Sequence, residues 1–195
     1  ARSGDGAAIA AFLQRFLRPD GRPQPVLDLL SAITHFLHRQ FAYERRTAPG
    51  TQTPEETLAL RRGTCRDFAV LMLDAVRALG LAGRFASGYI HVGGRDWSEQ
   101  RGGGSTHAWV EVYLPGAGWV DFDPTNGIVG NRDLIPVAVG RTPAQVVPIA
   151  GSYTGFASDD LGMTVTVRVG TDGGPEGEQN PLPAQVKAGT RRTAR

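Results

Sequence analysis

The chain has 195 residues, 41% apolar and 21% charged, with a formal net charge of +2. These totals suit one globular domain with a sizeable core and exclude a fibrous chain. So small a net charge, carried by interspersed residues, gives no basis for a nucleic-acid partner, and no apolar run approaches the ~18 residues of a membrane span.

The single cysteine rules out an intramolecular disulfide and suits a reducing compartment. Residues 1–6 lack the basic-then-apolar layout of a signal peptide. A cytoplasmic location is therefore expected, and the absent initiating methionine hints at a processed or truncated chain. In chain order, residues 7–17 carry apolar positions at helical spacing and are stopped by Pro19-Asp20-Gly21. Residues 25–40 repeat the pattern, with Leu30, Ile33, Phe36 and Leu37 as the buried stripe and Pro25 in the first turn. A short extended stretch, Phe41-Ala42-Tyr43, leads into a polar loop. Thr53-Pro54-Glu55-Glu56 then reads as a capping box, opening a helix that should run to about Arg61.

From Thr64 to Leu79 the pattern changes. Phe68, Ala69, Val70, Leu71, Met72, Leu73, Ala75 and Val76 leave only a thin polar edge, so this helix should lie buried at the centre, with Gly80 at its C-terminal cap. The period then drops to two. Strands are expected near 84–90, 107–114, 119–124 and 163–169, with another near 133–139 in an otherwise irregular segment, 127–162. Residues 170–195 have almost no large apolar side chains and read as a flexible tail. Helices first and antiparallel strands after make an α+β domain over 1–169, helical through 7–80 and sheet-forming through 84–169.

Cys65 stands at the start of the buried helix, where free N–H groups and the positive end of the helix dipole stabilise a thiolate. A lone cysteine is also, more blandly, a small buried hydrophobe. His107 opens one strand and Asp123 closes another, and a parity argument joins them. Across 107–114 the even positions are small or apolar, which leaves His107, Trp109, Glu111 and Tyr113 on the opposite face. Across 119–124, Val120 and Phe122 are apolar, which puts Trp119, Asp121 and Asp123 together. Matching apolar faces in a hairpin requires paired residue numbers to sum to an even value, so His107 and Asp123 share a face. The same register excludes a plain two- or four-residue loop at Pro115–Gly118 and demands a bulge or an odd-length loop.

A thiol, an imidazole and a carboxylate so arranged make a nucleophile, its base and the base's orienting acid. The main-chain N–H of Cys65 can donate to a developing oxyanion, and Tyr43 is a candidate second donor. Trp109 is a candidate supporting residue. Asp67 also falls in that group, with no defined role beyond favouring the helix N-terminus. The glycine-rich loop 93–106 directly precedes His107 and could hinge as a lid, with Trp97 a candidate substrate contact. His35 and His38, at i and i+3 on a helix, read as surface groups. No ligand spacing for a metal is visible, and no cofactor is expected.

Gly63-x-Cys65-x-Asp67-x-Ala69, His107-Ala108-Trp109-x-Glu111-Val112 and Trp119-x-x-x-Asp123-Pro124-Thr125 together resemble the transglutaminase-like superfamily, in its bacterial cysteine-protease form. The flanks Thr53-Pro54-x-Glu56, Arg77-x-Leu79-Gly80 and Ser87-Gly88-Tyr89 agree, and the resemblance covers roughly residues 25–170. It implies a papain-like α+β fold, a central helix bearing the cysteine against an antiparallel sheet bearing the histidine and aspartate. It also implies Cys65 as nucleophile, His107 as base and Asp123 as orienting acid. Some members carry an additional N-terminal β-domain, for which this chain begins too late. The expected activity is acyl transfer at amide bonds, with water as default acceptor and a peptide or protein as substrate. Transfer to an amine, or a catalytically silent binding module on the same scaffold, are the alternatives.

Overall fold

The computed structural model describes residues 6–46, 50–91, 106–131 and 133–149, together with 151–152, 154–156, 159, 167 and 169. The loop bearing Trp97, nearly all of the strand expected at 163–169, and the tail from 170 lie outside the described residues.

Helix α1 (Ala7–Leu13) is shorter than its apolar pattern predicts. Its end tightens, with the N–H groups of Arg15 and Phe16 bonding back three residues, while Phe16 and Leu17 still pack on the core. Helix α2 (Val26–Gln40) buries Leu29, Leu30, Ile33, Thr34 and Leu37, and Pro25 is its N-cap, not its first turn. Strand β1 (Ala42–Tyr43) follows. Helix α3 (Pro54–Leu60) opens on the expected capping box: Glu56 N–H donates to Thr53 Oγ1 at 3.1 Å, and Glu56 Oε2 accepts from Thr53 N–H at 2.8 Å. Arg61, in the left-handed region at φ 51°, ends it.

Strand β2 (Arg62–Gly63) then pairs parallel with β1, Ala42 with Arg62 and Tyr43 with Gly63. This ladder has no counterpart in the sequence pattern, because two-residue strands carry no periodicity. It sets Tyr43 opposite Gly63, two residues before the cysteine. Helix α4 (Cys65–Ala78) is the buried helix, with Phe68, Ala69, Leu71, Met72, Ala75 and Val76 fully enclosed. Gly80, at φ 79°, follows its last turn in the left-handed conformation that residue most easily adopts.

Strands β3 (Gly83–Ile90), β4 (His107–Leu114), β5 (Gly118–Asp123), β6 (Ile128–Val129) and β7 (Leu134–Gly140) form one antiparallel sheet in the order β6-β5-β4-β3-β7. A 3-10 turn at Pro143–Val146 follows. In the β4–β5 hairpin Val110 faces Phe122 and Leu114 faces Gly118, both even sums. Three residues, Pro115 to Ala117, make the loop, with Gly116 at φ 87° and Gly118 at φ 78°. The odd-length loop demanded by parity is the loop that forms.

The sheet separates two apolar clusters. Ala108, Val110, Val112 and Phe122 join α4, α1 and α2 in the main core. On the other face Ala86, Ile90, Trp109 and Leu134 make a smaller one. This is an α+β architecture, a central buried helix packed on an antiparallel sheet. No helix among the described residues is long and apolar enough to cross a membrane.

Candidate active site

Cys65 is the first residue of α4 and His107 the first of β4, so the two meet where elements begin. The start of α4 is fixed by Thr64 and Asp67. Thr64 Oγ1 accepts from the Asp67 N–H, and Asp67 Oδ2 accepts from both Thr64 N–H at 2.8 Å and Thr64 Oγ1 at 2.9 Å. The other Asp67 oxygen reaches sideways, accepting from Gln52 N–H at 2.7 Å and from Arg46 Nη2 at 3.0 Å. Asp67 is fully buried. It is therefore more than a favourable charge at a helix end, because it ties the segment before α3 to the turn that presents Cys65. The first-turn N–H groups of a helix lack intrahelical partners, and that of Cys65 is among them.

His107 and Asp123 lie on the same face of adjacent strands, as the parity demands, and are diagonal neighbours in the register. His107 Nε2 donates to Asp123 Oδ2 at 2.8 Å with both side chains out of solvent. A carboxylate can only accept, so Nε2 carries a proton, and Nδ1 is the ring nitrogen that Asp123 does not engage. Nδ1 is buried and has no conventional hydrogen-bond partner. Burial works against a charged His107, but the Asp123 charge and hydrogen bond outweigh it and push the imidazole up to about 10. The Cys65 side chain adds a smaller upward push, which places it beside this ring. Burial also opposes a charged Asp123, and again the partner prevails: His107, Asn126 and the Thr125 N–H hold that carboxyl below its ordinary value.

The segment after β5 completes the carboxylate's surroundings. Asp123 Oδ1 accepts from Thr125 N–H at 2.8 Å and Asn126 N–H at 3.3 Å, and Gly127 N–H closes the turn onto Asp123 O at 2.9 Å. Asn126 Nδ2 donates to Asp123 Oδ2 at 2.8 Å. From α2, His38 Nδ1 bonds the Thr125 carbonyl at 2.8 Å, and its ring packs where a side chain on Gly127 would stand. His38 is thus half-buried and directed inward, not the surface group its spacing suggested. The side-chain-to-backbone turn here belongs to Asp123, whose Oδ1 accepts from the N–H two residues on.

The remaining candidates divide. Trp109 is fully buried, its ring stacked near that of His107 with centroids 6.0 Å apart and planes at 25°. Its Nε1 donates to Asp121 Oδ1 at 2.6 Å, so it backs the imidazole and is itself held. Tyr43 is partly buried. Burial raises its pKa first and the nearby Cys65 raises it further, outweighing the charge and hydrogen bond of Arg45 that lower it, so the hydroxyl lies near Cys65 and keeps its proton. Trp97 lies outside the described residues.

Residues 12–124 match the family model of the transglutaminase-like superfamily. An uncharacterized Mycobacterium tuberculosis protein is 30% identical over 168 residues, covering 82% of this chain and 53% of its own length. A protein-glutamine gamma-glutamyltransferase of Pseudomonas aeruginosa is 31% identical over 119 residues, covering 56% of this chain and 17% of that protein. Among solved structures, a candidate cysteine protease from Cytophaga hutchinsonii superposes with TM-score 0.55 at 24% identity, over 75% of this chain and 46% of that one. That likeness is one of fold. The chain spans about half or less of the length of the curated relatives it matches.

Proposed function

Because the chain belongs to the transglutaminase-like superfamily, we propose that it attacks amide bonds with Cys65 as nucleophile, His107 as base and Asp123 as the base's orienting acid. The observation that carries this reading is the buried His107–Asp123 hydrogen bond, which holds the ring by Nε2 and leaves Nδ1 for the Cys65 side chain. Cys65 as a residue is buried, 7% exposed.

In this reading the proton held at Nδ1 of the charged imidazolium is the one the thiol gave up, and the thiolate attacks the substrate carbonyl carbon. The carbonyl π electrons move to oxygen, which the Cys65 N–H and the protonated Tyr43 hydroxyl stabilise. As the tetrahedral intermediate collapses, the C–N bond breaks and the imidazolium gives its proton to the departing amine, leaving a thioester on Sγ. Water, deprotonated by the same nitrogen, then attacks the thioester, releasing the acid and restoring the thiol. Asp123 stays ionised throughout and steadies the imidazolium.

Alkylation tests the nucleophile. Iodoacetamide at pH 6 is expected to label Cys65 at least ~10 times faster than a free thiol of ordinary pKa, with the label mapped by peptide mass spectrometry. Labelling no faster than free cysteine would end the enzymatic reading and leave the binding module. The Pseudomonas aeruginosa relative's name favours a second outcome for the thioester, capture by an amine. Incubation with a glutamine peptide, with and without an amine donor, separates the two by product mass.

A further inference from the structure

We infer that Asn126 is a positioning residue of this site, holding the Asp123 carboxylate in the orientation that serves His107. The inference rests on the triad assigned above and adds to it a side chain that no motif in the chain marks.

Two donors converge on one oxygen. His107 Nε2 and Asn126 Nδ2 each lie 2.8 Å from Asp123 Oδ2. They stand 3.4 Å from each other, which is the spacing of two donors sharing an acceptor, since neither has a lone pair to offer the other in this arrangement. The amide orientation follows chemically, because the Asn126 oxygen in that place would face a carboxylate. Oδ1 is meanwhile occupied by the backbone N–H groups of Thr125 and Asn126. Among the described residues Asp123 thus has four donors, of which His107 and the Asn126 side chain act on the working oxygen.

Without the amide, a lone-pair direction on Oδ2 would be left unmet in a place closed to water. The carboxylate could then rotate about its remaining bonds and draw the imidazole away from the line to Cys65. Asn126 is held in place by the turn that Gly127 N–H closes onto Asp123 O. The His38 bond to the Thr125 carbonyl steadies that turn from α2. Among the described residues the titratable groups that face this carboxylate or its partners are His107 on β4, Tyr43 on β1, Cys65 on α4 beside His107, and His38 on α2 through the Thr125 carbonyl.

Two variants test the assignment in the full chain. Asn126→Leu keeps approximate bulk without a donor, and Asn126→Asp keeps shape without an amide N–H. In each, the Asp123 side-chain carboxyl, followed by 13C NMR, is expected to titrate about one pH unit higher than in the wild type, and kcat on the peptide or amide substrate to fall about tenfold with KM unchanged. Wild-type titration of Asp123 in both variants would overturn the inference. So would equal losses in kcat and KM with a collapsed melting temperature, since those mark a residue that merely holds the loop. The carboxyl titration needs no turnover. A shifted Asp123 in a chain whose Cys65 alkylates like a free thiol would sustain the role of Asn126 and sink the catalytic reading instead.

Discussion

His107 and Asp123 are each costly to bury charged, and each is kept charged by the other. This makes their contribution to stability pH-dependent in a defined direction. His107 is raised from 6.5 to about 10, so its contribution is complete below 6.5 and lost as pH climbs through 10. Asp123 is lowered from 3.8, so its contribution is present above 3.8 and lost as pH falls through its folded value. Both are complete between 3.8 and 6.5. Asp123→Asn is therefore expected to destabilise most at pH 5–6, by roughly 3 kcal/mol as a buried pair broken at one end, and least near pH 10. Urea unfolding of both proteins across pH checks this, and a constant difference would contradict it. At this level the sequence was legible where patterning constrains it. Strand parity was enough to bring His107 and Asp123 together, because a one-residue slip would expose Val110, Val112 and Phe122. His38 was not legible, because its role depends on where the helix it lies on packs against a turn 87 residues later. Asn126 was not, because its bond to Asp123 depends on how the turn closed by Gly127 aims its side chain.

Among the elements, α4 carries the cysteine, and its first turn is fastened by the bonds between Thr64 and Asp67. The box at Thr53 announces itself by Glu three residues later, whereas Thr64 uses Asp67, a shorter side chain that the usual pattern omits. Asp67 also bonds Gln52 and Arg46 from a different segment, which no local pattern could reveal. Gly63 has its own reason in this contact, since an added Cβ would stand 2.9 Å from that of Asp67. Removing these ties should cost in proportion to what is left buried. Thr64→Ala is expected to lose about 1 kcal/mol as a lost cap. Asp67→Ala should lose about 3 kcal/mol, since it strands several donors and half of an ion pair. Denaturant midpoints measure both, and alkylation of Cys65 in Asp67→Ala should slow as its turn loosens. A cost for Asp67→Ala no larger than for Thr64→Ala would show that the sideways bonds to residues 46–52 carry nothing.

In the whole molecule the sheet order β6-β5-β4-β3-β7 decides which residues can meet, and it is the feature the sequence least discloses. The β4–β5 hairpin follows from its short loop, but β7 crosses to the far edge beside β3, and nothing periodic in 134–140 names that partner. Gly88 records the crossing. The β3–β7 register shifts between Ser87 and Gly88, and a Cβ at Gly88 would fall 2.0 Å from the Ile135 carbonyl oxygen and 3.0 Å from Trp109 Cη2. Backbone cannot yield there as a flexible side chain could, so Gly88→Ala must part the two strands, displace the Trp109 indole, or both. The expected cost is about 1–3 kcal/mol of overpacking strain. A stability loss alone would be unremarkable in a strand. The indole, however, stacks near His107 on the face away from α4, so its displacement should also disturb the imidazole. Gly88→Ala should therefore lower the pH 6 alkylation rate of Cys65 in protein that is still folded, with a changed tryptophan emission. If stability falls while alkylation and emission stay at wild-type values, β7 absorbs the methyl by itself and the second apolar cluster plays no part in holding the site.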